Sequence, residues 1–179
     1  MKPPFKSRSA LFLVQAGMIA ALYATVTILQ NLLLPGSASM AVQFRLAEAL
    51  TVLAVYTRAA IPGLAVGCAV ANISSIAALG PFDLIFGSLA SLLAAVLMYC
   101  LRSVRWLGLP VLAALMPALV NGVIVGFEID FFFGNRFQFV FGDFLLQGGC
   151  VALGELAVLL VLGLPLCKVI ERIGPDKRL

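Results

Sequence analysis

The chain has 179 residues, 63% of them apolar and only 11% charged, with a mean hydropathy of +1.12. Soluble domains carry about a quarter charged residues, so a water-soluble fold of this size is excluded, and the length leaves no room for a separate soluble domain. The net charge of +4 resides in basic residues at the ends of apolar runs rather than on one face, which makes it a topology signal and excludes a nucleic-acid surface.

A membrane-spanning helix needs about 20 apolar residues, and six segments qualify. The first, Ala10–Leu34, closes at Pro35-Gly36. It carries Ala16, Ala20 and Ala24 at four-residue spacing, with Gly17 and Ala21 in a parallel row. Small residues in such rows let helix backbones approach closely, within one chain or against a partner. A short outer loop, Pro35–Ser39, is a candidate gate before the second segment, Met40–Tyr56. The third, Ala59–Leu79, opens at Pro62-Gly63, and Gly80-Pro81 separates it from the fourth, Leu84–Leu101. The fifth is Leu107–Phe127. After it comes an aromatic loop, Glu128–Asp143, and then the sixth segment, Phe144–Val169. The expected fold is an all-α bundle of six transmembrane helices, one domain over residues 1–179.

Orientation follows from the positive-inside rule. With both termini cytoplasmic, Lys2, Lys6, Arg8, Arg58, Arg102, Arg105, Lys168, Arg172, Lys177 and Arg178 fall inside, and only Arg45 and Arg136 lie in the outer half. A cleaved signal peptide is the rival reading of the start, but the first apolar run is too long for one and contains Gln15, Thr25 and Thr27.

Polar groups inside a membrane are costly and mark functional sites. Glu48, Asn72 and Asn121 fall about 10 Å below the outer ends of their helices and Glu155 about 17 Å, at about 1.5 Å rise per residue. Asp83 sits at the outer mouth of the fourth helix and Arg45 one turn above Glu48. The inner halves of the spans are nearly free of polar residues, which describes an outward-opening pocket rather than an ion path. The amides also fit a purely structural role between helices, and Arg45 is placed to pair with Glu48 at i, i+3. Glu155 has no basic residue within two helical turns, so its partner must come from elsewhere, a cationic or donor-rich ligand among the candidates. Phe132, Phe133 and Phe137 either anchor the loop at the interface or form a lid over a flat ring.

Catalysis has little to work with. There is no histidine, the four cysteines form no C-x-x-C pair, and no phosphate-binding loop is present. No cofactor and no metal site are expected, and any ATP hydrolysis belongs to partner subunits.

The run Val42–Leu53, the stretch Ala60–Cys68 with Ala71-Asn72, Asp83–Ala95, Pro117–Gly126, and Gly154-Glu155 with Leu162–Leu166 resemble the QueT family in order and spacing. The chain departs from the family at Leu53-Ala54 and Thr57-Arg58, near the cytoplasmic end. The resemblance implies a substrate-binding S component of an energy-coupling factor importer in a prokaryotic plasma membrane. It further implies a 7-deazaguanine queuosine precursor as substrate and a transmembrane T subunit with two ATPases as partners. Ala16, Ala20 and Ala24 would then dock the T subunit. Glu48, Asn72, Asp83, Asn121, Glu155 and Arg45 would form the pocket, with Phe132, Phe133 or Phe137 over the ring. The rivals are an S component for another cationic ring compound such as thiamine, and a structural membrane subunit without a ligand.

Overall fold

The computed structural model describes residues 5–35, 43–74, 76, 81–134 and 137–174, with side chains from residue 8 onward. Among the described residues the structure is helical throughout, in six columns with no strand. Four columns are long and apolar enough to cross a bilayer: Arg8–Leu33, Phe82–Cys100, Val111–Gly134 and Phe141–Ile173. Two are shorter, Leu46–Tyr56 and Ala60–Ile73.

The first column, α1 (Phe5–Leu33), is built from Ala, Leu and other good helix formers without an internal proline. Its outward face is apolar, with Leu13, Met18 and Leu32 exposed. Exposed apolar surface on this scale calls for lipid rather than water around it.

The second column departs most from expectation. The segment expected to span as Met40–Tyr56 is a 3-10 helix over Leu46–Val52, followed by a single α turn, α2 (Leu53–Tyr56); its first residues lie outside the described ones. A 3-10 helix rises about 2.0 Å per residue and is narrower than an α-helix. Those dimensions suit its place, because the segment touches every other column of the bundle. Ala47, Glu48, Ala49, Thr51 and Val52 are all buried. Gln30 of α1 pins its start: the side-chain oxygen accepts from Leu46 N (2.8 Å) and the amide nitrogen donates to the Phe44 carbonyl.

The remaining columns are α3 (Ala60–Ile73), α4 (Phe82–Cys100), α5 (Val111–Glu128) continued by a π-helical turn (Ile129–Gly134), and α6 (Phe141–Val158). A second π turn (Leu159–Gly163) joins α6 to α7 (Leu164–Ile173). Around the central column, α1 packs on α3, α3 on α4, α4 on α5 and α5 on α6. The expected end of the third helix at Leu79 lies outside the described residues.

Two boundaries shift. The fifth helix starts at Val111 rather than Leu107. Residues 106–109 instead close a tight turn with Leu107 (φ 51°) and Gly108 (φ 81°) in the left-handed region, and the Trp106 and Leu109 backbones bond both ways (2.9 and 3.0 Å). The expected aromatic loop Glu128–Asp143 is largely helix, because α5 runs on through Gly134 and α6 begins at Phe141. Asp130 closes what is left by accepting from Val140 N at 3.0 Å.

In lipid, helices associate by close packing rather than by hydrophobic drive. The alanine row of α1 is used in this way inside the chain. A Cβ on Gly63 would come 2.8 Å from the Ala16 carbonyl, and one on Gly67 2.8 Å from the Ala20 carbonyl, so α1 and α3 meet backbone to backbone. Ala24 is buried further along the same row, while Ala21 is exposed and Gly17 faces open space. At the end of the bundle away from the buried acids, Arg105 ion-pairs with Glu171, which also accepts from the Tyr56 hydroxyl at 3.1 Å.

Candidate functional site

Five helices and the 3-10 column bring polar and ionisable side chains together inside the bundle. Arg45, at the mouth of the 3-10 segment, is buried and donates to Asn72 Oδ1 of α3 at 3.0 Å. The Asn72 amide nitrogen in turn donates to the Asp83 carbonyl at the start of α4 (2.9 Å). Gly87, one turn further along α4, is the floor of this cluster: a Cβ there would lie 2.7 Å from Asn72 Nδ2, 3.2 Å from an Asp83 carboxylate oxygen and 3.8 Å from an Arg45 guanidinium nitrogen.

Glu48 is completely buried (0% exposed) and accepts the hydroxyl proton of Tyr23 from α1. Its other oxygen has no hydrogen-bond partner among the described residues. Glu155 of α6 (1% exposed) repeats the arrangement, with one oxygen accepting from Asn121 of α5 and the other without a partner. Glu48, Glu155 and Arg45 lie within range of one another's charge. The expected i, i+3 ion pair between Arg45 and Glu48 does not form; among the described residues Arg45 makes no ion pair with any carboxylate, and its Nε is unpartnered. Asn72 holds the guanidinium and Tyr23 holds the carboxylate, so neither charge cancels the other by contact. A buried polar atom without a partner costs about 1–3 kcal/mol, and three such atoms on Arg45, Glu48 and Glu155 amount to a shared, unmet demand for donors and acceptors.

The expected residues thus divide. Glu48, Asn72, Asp83, Asn121, Glu155 and Arg45 sit in or beside one buried cluster. Phe132 stacks on Phe82 (4.1 Å between ring centroids), which precedes Asp83 in the chain. Phe133 meets only the edge of Phe82 (6.4 Å), and Phe137 is 62% exposed, held against Phe131 and Phe132 (5.9 and 5.7 Å). Phe133 and Phe137 belong to the rim rather than to the cluster itself.

The structure adds residues the sequence reading passed over. Tyr23 is the donor to Glu48, and Cys68 sits 3.7 Å from the Arg45 guanidinium. Glu128, assigned from sequence to a loop, is 1% exposed, with neither carboxylate oxygen partnered among the described residues. Its signal was its spacing: seven residues after Asn121, it shares that residue's helix face. A similar signal marked the second column, where Arg45, Glu48 and Thr51 recur every third residue, the repeat of a 3-10 helix rather than an α-helix.

The three carboxylates with an open oxygen lie at or near the places where the helices leave α geometry. Glu48 is in the 3-10 segment, Glu128 precedes one π turn, and Glu155 lies four residues before the other. Such departures concentrate at functional sites.

An all-helical chain with four columns long and apolar enough to cross a bilayer, and with carboxylates and a guanidinium gathered inside it, has the build of a multi-pass membrane protein. A family model described as the QueT transporter matches residues 13–172, and the chain belongs to that family. No curated protein and no solved structure matches the chain.

Proposed function

We propose that this QueT-family protein is the substrate-binding S component of an energy-coupling factor importer and captures a 7-deazaguanine queuosine precursor in the Glu48–Glu155 cluster. In this reading the chain crosses a prokaryotic plasma membrane six times with both termini cytoplasmic, and a T subunit with two ATPases supplies the energy. The α1–α3 face meets the T subunit. Ala16, Ala20 and Ala24 act there by holding α1 tight on α3, which leaves Gly17 and Ala21 facing outward.

The observation that supports the substrate is the pair of half-satisfied carboxylates. A 7-deazaguanine presents adjacent N–H donors on one edge, and a carboxylate accepts such a pair. Bonds of this charge-assisted kind are about twice as strong as neutral ones. One of Glu48 and Glu155 reads that edge, Asn121 and Asn72 supply further bonds, and Phe132 covers the ring.

Calorimetry on the purified protein tests the assignment. Glu155→Gln and Glu48→Gln are each expected to weaken 7-deazaguanine binding about 10- to 100-fold, the measure of one charge-assisted bond. Undiminished affinity in both variants contradicts it.

A further inference from the structure

We infer that Glu128 is a specificity-determining residue of the same site, the carboxylate that receives a cationic amine on the substrate's side arm; this rests on the reading of the site as a 7-deazaguanine pocket. The side chain is 1% exposed, and both of its oxygens lack a partner among the described residues, whereas Glu48 and Glu155 each have one oxygen already engaged. Burying a carboxylate with two open oxygens is costly, and a donor that carries positive charge offsets that cost. Among the described residues there is no such partner: Arg45 lies within range of Glu128's charge but makes no ion pair with it.

Position supports the assignment. Glu128 stands on the Asn121 face of α5, two turns and about 10 Å along the axis from the amide that engages Glu155. That separation matches the long dimension of a bicyclic ring with a one-carbon arm. A ring whose donor edge meets Glu155 therefore points its substituent at Glu128. Phe127 and Phe131 stack beside Glu128 (5.4 Å between ring centroids), and Phe132 packs edge-on to Phe131 (5.0 Å). Glu128 is shut off from water, which strengthens a charge–charge bond formed there.

Two ligands separate this role from the site as a whole: 7-aminomethyl-7-deazaguanine, whose arm is an ammonium at neutral pH, and 7-cyano-7-deazaguanine, whose arm is neutral. Calorimetry on the full-length protein and on Glu128→Gln reads both. The expected result is a loss of about tenfold or more for the aminomethyl ligand, with the cyano ligand unchanged within about twofold, which also shows that the variant is folded. Equal affinities in the two proteins, or equal losses for both ligands, overturn the Glu128 assignment and leave the site reading standing. A native protein that binds neither ligand overturns the site reading and the assignment with it.

Discussion

At the scale of the residue, the site is defined by who satisfies whom. Tyr23 and Asn121 each give one donor to a buried carboxylate, and Asn72 holds Arg45 away from both acids. Tyr23→Phe removes the donor to Glu48 and leaves neither oxygen of that carboxylate with a hydrogen-bond partner among the described residues, so unfolding in detergent is expected to show a loss of about 1–3 kcal/mol. An unchanged midpoint would mean that the hydroxyl contributes nothing to holding Glu48. The polar residues themselves were legible in the sequence, because an acid or amide deep in an apolar run stands out. Their partners were not. A tyrosine in a membrane helix carries no sign of what its hydroxyl meets, and an i, i+3 Arg–Glu spacing favours an ion pair that the fold replaces with bonds to α1 and α3.

At the scale of the element, one departure from α geometry carries Glu48 and two others follow within four residues of Glu128 and Glu155, while glycines let the backbones come close. Gly154, next to Glu155, packs directly on the Gln43 backbone at the start of the second column, while Gly149 on the same helix has nothing nearby. Gly154→Ala is therefore expected to cost about 1–3 kcal/mol of stability and to weaken ligand binding, because any shift there moves Glu155 against the 3-10 segment. Gly149→Ala on the same helix is expected to raise stability by up to about 1 kcal/mol and to leave binding unchanged. Comparable effects of the two substitutions, read by thermal unfolding and calorimetry, would contradict this packing. Hydropathy located the apolar segments, but it averages over a window and cannot separate helix types. The 3-10 column and the π turns therefore went unseen, and so did the helical character of Ile129–Gly134, where an aromatic run resembles an interfacial loop.

At the scale of the whole molecule, composition alone required a membrane bundle, and the helical columns follow the segments the sequence marks out. What the sequence did not disclose is that the second segment is the axis around which the others assemble. An element touching every neighbour must be slender and small-sided, and Ala47, Ala49 and Thr51 meet that condition without differing in composition from a lipid-facing stretch. This placement turns Glu48 from one acid on one helix into the centre of a buried polar cluster to which α1, α3, α4, α5 and α6 contribute. The central claim is that this interior holds a 7-deazaguanine, and the most direct measurement is mass spectrometry of the small molecules carried through purification from a medium that supplies queuosine precursors. A 7-deazaguanine is expected to be released from the native protein and to be absent from the Glu48→Gln/Glu155→Gln double variant. Recovery of a different ring compound, or of the same 7-deazaguanine in equal amount from both proteins, would contradict it.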